Sequence, residues 1–192
     1  MRLLLHCCCG PCAVEVADRF RCLGDDVTGW FFNPNIHPEQ ERRQREDTLV
    51  AAADAIALPL LPAGPGMGLY EFLSAMAGEG GTRCRACYGL RLGATARQAA
   101  EHGFDAFSST LLISPYQALD VIEEVGKEAG GRFGVDFRFA DLRGDYRASC
   151  ERARELGLYR QNYCGCLFSA LDRAERRAGR AVAKGLKVAL GR

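Results

Sequence analysis

Short apolar runs alternate with longer amphipathic segments along most of this chain. Five runs predict buried β-strands, at residues 1–8, 26–32, 58–61, 104–111 and 135–139. Apolar positions at helical spacing predict α-helices at residues 12–23, 39–56, 70–77, 83–102 and 114–129, and two more at 146–156 and 168–187. This alternation favours an α/β fold, in which a parallel sheet of about five strands is flanked by helices. With 192 residues, the chain is expected to form a single domain that ends in a helical segment.

Charge is distributed unevenly along the chain. The formal net charge is +1, but residues 173–192 carry seven basic side chains and one acid, Glu175. This basic tail, placed at residues 170–192 after an α/β domain at residues 1–169, could follow an RNA backbone or could be a solvated helix end. The basic run at residues 42–45 is expected to face solvent, and a glycine-rich loop is expected at residues 78–81.

The apolar runs also bear on the cellular context. None is long enough to cross a bilayer, and the three leucines at the start do not resemble a signal peptide. We therefore expect no membrane partner and a cytoplasmic location, where thiols stay reduced. Ten cysteines in such a protein indicate metal or redox chemistry rather than a disulfide scaffold.

Eight of the cysteines form three groups whose spacing suits metal binding. They are Cys7, Cys8, Cys9 and Cys12, then Cys84 and Cys87, then Cys164 and Cys166. One closed zinc site takes four ligands and would leave about half of these thiols unused. An iron–sulfur cluster with a second metal, or with a redox-active dithiol such as Cys164 and Cys166, uses the set better. On these residues alone, zinc and iron–sulfur both remain open.

Two further polar residues lie where strands are predicted to end. Asp141 follows the fifth predicted strand and could bind a metal or transfer a proton, although a helix N-cap is the simpler interpretation. His6 ends the first strand beside the thiols, and it could be a ligand or a hydrogen-bonded core residue. Asp141 and His6 are the candidate catalytic residues.

Two polar segments could bind a substrate. The one before the third cysteine group contains Tyr159, Arg160, Gln161, Asn162 and Tyr163. Aromatic rings stack on bases and arginine binds phosphate, so this segment could bind a nucleic acid. The other contains Ser109, Thr110 and Ser114, whose hydroxyls could bind phosphate or cap the next helix. In both segments, packing within the protein is the alternative.

Five motifs together resemble the cobalamin-independent epoxyqueuosine reductases of the QueH type. In chain order, they are residues 6–12, 32–36, 83–92, 109–115 and 157–166. The resemblance covers about residues 3–169, and the last motif is the most specific. The basic tail lies outside it.

This resemblance implies an activity, cofactors and partners. The activity is the reductive removal of the epoxide oxygen from epoxyqueuosine at the wobble position of tRNA, which gives queuosine. The implied fold is a three-layer, Rossmann-like parallel sheet of the HUP or nucleotide-hydrolase type. The implied cofactors are a [4Fe–4S] cluster and one additional iron ion, without cobalamin or flavin. The implied partners are tRNA with a GUN anticodon and an external electron donor of the ferredoxin or flavodoxin type.

The resemblance also implies a set of metal-binding residues. The set is Cys8, Cys9, Cys12, Cys84, Cys87, Cys164, Cys166 and Asp141. Cys7 is left out, because related chains often have another residue at that place. We expect the cluster to be bound by Cys8, Cys9, Cys84 and Cys87. The additional iron is expected nearer to Cys164, Cys166 and Asp141.

Two other functions stay open on the sequence. An ATP-using tRNA-thiolation or nucleotide-transfer enzyme could share the α/β architecture, but it needs a Ser-Gly-Gly phosphate loop where this chain has residues 8–12. A zinc-stabilised RNA-binding domain would be colourless, and its metal-free form would not fold.

Overall fold

A computed structural model of the chain describes residues 1–77 and 82–189. The described residues contain one parallel sheet of four strands, in the spatial order β2-β1-β3-β4. The strands are β1 (Arg2–His6), β2 (Asp26–Trp30), β3 (Ala106–Ser109) and β4 (Asp136–Phe137). The predicted α/β class and parallel sheet are therefore confirmed, whereas the predicted count of about five strands is wrong.

Seven helices are described. They are α1 (Gly10–Cys22), α2 (Glu39–Ala55), α3 (Leu69–Ala77), α4 (Arg83–Glu101), α5 (Leu119–Phe133), α6 (Tyr146–Glu155) and α7 (Leu167–Ala189). Helix α1 packs against α2 and α6, and helix α4 packs against α5. Among the described residues, no helix combines the length and the apolar character needed to cross a bilayer.

The central strand β1 explains why the first apolar run is continuous. Leu3, Leu4 and Leu5 have no exposed surface. The strand has a hydrogen-bonded neighbour on both sides, and helices contact both it and its neighbours. A strand in this position has no solvated face, so its sequence does not alternate between apolar and polar residues.

The missing fifth strand has a local cause. Residues 58–61 pair with the sheet only through one bridge, between Gly29 and Leu60. The Gly29 N–H donates to the Pro59 carbonyl at 2.8 Å, and the Leu61 N–H donates to the Gly29 carbonyl at 2.9 Å. Because Pro59 has no N–H to donate, this pairing cannot extend towards the start of β2.

Two other predicted strands are shorter than their apolar runs. The strand predicted at residues 104–111 ends at Ser109, and Thr110–Ile113 form a 3-10 turn instead. The Ser109 side chain accepts a hydrogen bond from the Leu111 N–H at 3.1 Å, which caps this turn. The strand predicted at residues 135–139 consists of two residues, Asp136 and Phe137.

Strand order reverses at β1. The chain passes from β1 to β2 on one side, and later returns to β3 on the other side. The carboxyl ends of β1 and β3, where His6 pairs with Ser109, therefore border a topological switch point. Ligands in open α/β folds bind in the crevice at such a point. The first cysteine group follows β1 directly.

The predicted basic tail begins inside α7. This helix runs from Leu167 to Ala189, across the domain boundary expected at residues 169 and 170. Its residues Arg176, Arg177 and Arg180 are exposed. The last three residues of the tail and the glycine-rich loop predicted at residues 78–81 lie outside the described residues.

Candidate metal centre

The first cysteine group forms a compact trio. The sulfur atoms of Cys8, Cys9 and Cys12 all lie within 4.8 Å of one another. Helix α1 begins at Gly10, in close contact with α2: a Cβ atom at Gly10 would lie 2.5 Å from the Thr48 carbonyl oxygen. The missing side chain lets the backbone turn tightly here, so that neighbouring cysteines present their sulfurs to the same space.

The 3-10 turn that follows β3 holds the trio through one hydroxyl group. The Thr110 Oγ1 atom accepts a hydrogen bond from the Cys8 N–H at 2.9 Å and donates one to the Cys8 sulfur at 3.2 Å. Hydrogen bonds from the Cys12 and Cys9 thiols hold the pKa of Cys8 well below its usual range.

Cys7 differs from its three neighbours. Its thiol donates to the Leu5 carbonyl oxygen at 3.3 Å, and it is fully buried. Burial raises the pKa of the Cys7 thiol strongly, because a charged sulfur would lose its hydration. The Cys7 side chain therefore packs within the hydrophobic core.

The second and third cysteine groups face each other. Cys84 and Cys87 are three residues apart on α4, which places them on one face of the helix. Burial raises the pKa of Cys87, and the nearby Cys166 and Cys84 add to this increase. A hydrogen bond from the Cys164 thiol lowers the pKa of Cys166 to about 5. The second and third cysteine groups are therefore neighbours, since Cys87 on α4 lies close enough to Cys164 and Cys166 for their charges to interact.

The segment just before the third cysteine group also contacts the first group. The Gln161 side-chain amide donates to the Cys9 sulfur at 2.8 Å, across 152 residues of sequence. Arg91, fully buried on α4, is close enough to Cys8, Cys87 and Cys164 for all three to raise its pKa against the lowering effect of burial. The structure thus brings all three cysteine groups together around one guanidinium group.

Arg45 fixes the backbone of the third group. Its guanidinium donates to the carbonyl oxygens of Cys164, at 3.0 Å, and Tyr163, at 3.3 Å, and pairs with Glu41 at 2.8 Å. Gly165 has a φ of +117°, and a Cβ atom there would lie 2.8 Å from Ile36. Only glycine adopts this backbone at low cost, so the turn between the two cysteines depends on it.

Comparison with known proteins identifies the family. A protein-family model described as "Epoxyqueuosine reductase QueH" matches residues 3–172. The chain belongs to the QueH family. An epoxyqueuosine reductase QueH of Dehalococcoides mccartyi is 37% identical over 176 residues, covering 90% of this chain and 94% of that protein. The protein of the same name from Thermotoga maritima is 35% identical over 189 residues, covering 92% of this chain and 94% of that protein.

Membership of the QueH family confirms the resemblance predicted from the five motifs. The family is one of oxidoreductases in queuosine biosynthesis. A solved structure, described as a predicted subunit of a tRNA methyltransferase from Methanocaldococcus jannaschii, has a TM-score of 0.49 and 11% identity to this chain. The match covers 80% of this chain and 75% of the chain in that structure. The matched family region ends at residue 172, so most of the basic tail of this QueH chain lies beyond it.

The two candidate catalytic residues have different surroundings in this QueH chain. His6 is fully buried between Ser109 Oγ, at 2.9 Å, and the Phe32 carbonyl oxygen, at 3.0 Å. Burial lowers the pKa of His6 to about 3, so the ring is neutral. Because the Phe32 carbonyl can only accept, Nε2 carries the proton and Nδ1 accepts from Ser109. The catalytic role of His6 stays a prediction.

Asp141 lies near the surface, two residues before Arg143. The Arg143 guanidinium donates to its carboxylate at 2.6 Å and 2.9 Å, and the Arg143 N–H donates at 3.1 Å. These hydrogen bonds lower the pKa of Asp141 to about 2. The carboxylate is therefore ionised at neutral pH, and its predicted role as a metal ligand stays untested.

Six of the eight candidate substrate-binding residues form hydrogen bonds within the protein, and the other two are exposed. Ser109, Thr110, Tyr159, Gln161 and Tyr163 have protein partners: His6, Cys8, Glu41, Cys9 and the His37 carbonyl oxygen, respectively. Ser114 accepts from the Tyr116 N–H at 3.3 Å. Arg160 and Asn162 are exposed. Binding of substrate by this set stays a prediction, and Arg160 and Asn162 are its most accessible members.

Two residues of the centre escape sequence analysis. Arg45 was expected on a solvated helix face, but it is buried, with 2% of its surface exposed. Arg91 belongs to the motif at residues 83–92 but has no metal-ligand chemistry to single it out. The available signal is its position: it lies four residues after Cys87, on the same face of the same helix.

Proposed function

We propose that this chain reduces epoxyqueuosine to queuosine at the wobble position of tRNA. The observation that carries the proposal is the convergence of three cysteine groups, distant in sequence, on the switch point of the sheet. Membership of the QueH family supports the same activity. A site of this kind, rich in soft sulfur ligands, suits iron and electron transfer.

We propose that a [4Fe–4S] cluster and one additional iron divide the thiols by proximity. The second and third cysteine groups are neighbours, and together they have the four thiols that such a cluster takes: Cys84, Cys87, Cys164 and Cys166. The trio of Cys8, Cys9 and Cys12 would then bind the additional iron. This division differs from the expectation that Cys8 and Cys9 bind the cluster, and Asp141 remains a candidate ligand of either metal.

Several buried polar atoms of the described residues lack hydrogen-bond partners in the protein, and this supports the presence of a bound group. Among the described residues, Arg91 Nε, Gln161 Oε1 and both polar side-chain atoms of Asn35 are buried without a hydrogen-bond partner. Arg91 and Gln161 adjoin the sulfurs, and Asn35 precedes Ile36, which contacts Gly165. Buried polar groups in native proteins are almost always satisfied. A metal–sulfide centre with its bound substrate would offer such partners.

The reaction needs two electrons and two protons, and it releases water as the epoxide becomes an alkene. When bound, the iron centre supplies single electrons and a Lewis acid for the epoxide oxygen. The cysteine groups proposed to hold this centre lie at the carboxyl end of the sheet. The ionised Asp141 is proposed as a metal ligand, whereas the neutral His6 orients the end of β1 through its two hydrogen bonds.

The substrate and the electron donor come from outside the chain. The target nucleotide of a tRNA with a GUN anticodon has to leave its stack to reach a buried site. Arg160 and Asn162, and the arginines of α7, are the proposed contacts of the anticodon region. We propose a ferredoxin- or flavodoxin-type donor, because the sequence has no flavin or cobalamin motif. The cytoplasmic location stays a prediction.

The test is anaerobic purification followed by iron, sulfide and activity measurements. We expect about five irons and about four sulfides per chain, with a visible band that dithionite bleaches. With dithionite or reduced ferredoxin, epoxyqueuosine in tRNA should become queuosine, as read by nucleoside mass spectrometry. Cys87→Ala should lose the cluster and the activity. Cys22→Ala, at an exposed thiol on α1, is the matched control and should keep both.

One result would overturn the proposal. A protein that retains zinc, stays colourless after reconstitution with iron and sulfide, and still binds tRNA would be a zinc-stabilised RNA-binding domain. Formation of an AMP adduct from ATP would instead support the thiolation class.

A further inference from the structure

Arg91 is a buried cation without a carboxylate partner in the described part of the chain. Only 2% of its surface is exposed. Its Nη2 donates to Asn33 Oδ1 at 2.8 Å, while its Nε has no partner among residues 1–77 and 82–189. Burial of a guanidinium that has no negatively charged partner is strongly destabilising. The fold must therefore supply negative charge from another source.

The groups that face Arg91 are thiols from all three cysteine groups. Cys8 follows β1, Cys87 lies one turn before Arg91 on α4, and Cys164 belongs to the third group. Thiols carry that negative charge when they bind a metal, because coordination removes the proton.

The other fully buried arginine provides a contrast. Arg45 pairs with the Glu41 carboxylate at 2.8 Å and donates to two carbonyl oxygens. Its charge is compensated whether or not a metal is bound. Arg91 has one amide oxygen and no carboxylate partner in the described part of the chain, so a metal centre bound by the surrounding thiolates is the source of negative charge left to it.

A short hydrogen-bond chain fixes the place of the Arg91 guanidinium. Asn33 accepts from Arg91 and donates its own side-chain N–H to the Cys7 carbonyl oxygen at 2.8 Å. The guanidinium is thereby tied to the backbone that precedes the cysteine trio. Its position is set by β1 and β2 as well as by its own helix.

We propose that Arg91 is a positioning residue that supplies the counter-charge of the metal centre and raises its reduction potential. This inference rests on the proposed iron centre. A fixed positive charge beside a cluster favours the reduced form, which carries one more negative charge. The burial of Arg91 strengthens the effect, because charges away from solvent are screened less.

The first measurement is a redox titration of the anaerobically purified protein, followed by electron paramagnetic resonance. Arg91→Met should make one-electron reduction at least tenfold less favourable, which corresponds to a potential about 59 mV lower. Arg91→Lys keeps the charge and should recover most of the potential. Arg97→Met, an exposed substitution on the same helix, is the matched control and should leave the potential unchanged.

The second measurement compares unfolding with and without the metals, under reducing conditions. Arg91→Met should destabilise the metal-loaded protein. The same substitution should destabilise the reduced, metal-free protein less, because fewer thiolates then face the buried guanidinium. A purely structural role for Arg91 predicts equal destabilisation of both forms.

The outcomes separate this inference from the proposed function. If the native protein loads iron and sulfide but Arg91→Met leaves its potential unchanged, the inference is overturned and the proposed centre stands. A tenfold effect in Arg91→Lys as well would assign the shift to geometry rather than charge, which also overturns the inference. If the native protein binds no iron, both proposals fail. If Arg91→Met does not fold, a native-like potential in Arg91→Lys, with a lowered one in Arg91→Gln, supports the inference.

Discussion

A single hydroxyl group connects the central strands to the cysteine trio. Thr110 satisfies the backbone N–H of Cys8 and donates to its sulfur, so it fixes the position of this thiol. A threonine at the end of an apolar run does not by itself predict such a role. Its significance comes from the pairing of β1 with β3, more than 100 residues apart in sequence.

We predict that Thr110→Val lowers the free energy of unfolding by about 1–3 kcal/mol, because the buried Cys8 N–H loses its only side-chain partner. Urea denaturation of the reduced, metal-free protein measures this change. Thr110→Ser keeps the hydroxyl and should retain native iron content. Equal iron loss in both variants would contradict the assignment to the hydroxyl.

At the scale of single residues, the sequence does not predict which charged side chains are buried. Arg45 and Arg91 occupy helical positions among other polar residues, and such positions are usually solvated. Their burial depends on contacts with Cys164 and Asn33, which are 119 and 58 residues away. Helical periodicity contains no information about partners at that distance. The cysteines themselves were predictable, because thiol spacing alone indicates metal chemistry.

Close packing of α1 against α2 sets the direction in which the trio points. We predict that Gly10→Ala costs about 1–3 kcal/mol of stability, because its Cβ atom would overlap the Thr48 carbonyl oxygen. Thermal or urea unfolding measures this change. Gly93→Ala, inside α4 with open space around its Cβ atom, should instead gain about 0.5–1 kcal/mol. A neutral Gly10→Ala would show that the two helices can separate without cost.

Helix α2 also controls the third cysteine group through Arg45. We predict that Arg45→Met costs about 3–5 kcal/mol, because it leaves Glu41 unpaired and two carbonyl oxygens without a donor. In the metal-free protein, thiol reagents should then modify Cys164 faster. Arg43→Met, at an exposed position on the same helix, should change neither value. Slow modification of Cys164 in the Arg45 variant would contradict the assignment.

The succession of elements was predictable because apolar runs and amphipathic stretches differ in period. Residues 58–61 were misassigned as a strand because their apolar character is real, whereas their pairing is limited by Pro59. Composition reveals burial, but a ladder also needs an unbroken series of donors. The trio and its switch-point location followed from sequence order, since a strand that runs into a helix N-terminus places the turn at the sheet edge.

At the scale of the whole molecule, α7 presents positive charge beyond the family region. We predict that Arg176→Gln, Arg177→Gln and Arg180→Gln together weaken tRNA binding. They should also reduce the slope of log affinity against log salt by about 2, because each phosphate contact releases counterions. Binding assays at several salt concentrations measure this slope. The same change at Arg43, Arg97 and Arg132, which are exposed on α2, α4 and α5, should have a smaller effect. Equal effects of both triple variants would show that α7 has no special part in binding.

The hydrogen bond between Gln161 and Cys9 also bears on the order in which the protein is made. The two residues are 152 positions apart, so at typical synthesis rates of about 5–20 residues per second the partner emerges roughly 8–30 s after the cysteine. During that interval, the first thiols to leave the ribosome have neither their strand neighbour β3 nor their later companions. A metal centre that uses all three cysteine groups can therefore be completed only after Cys166 has been synthesised, and until then the amino-terminal thiols lack these partners.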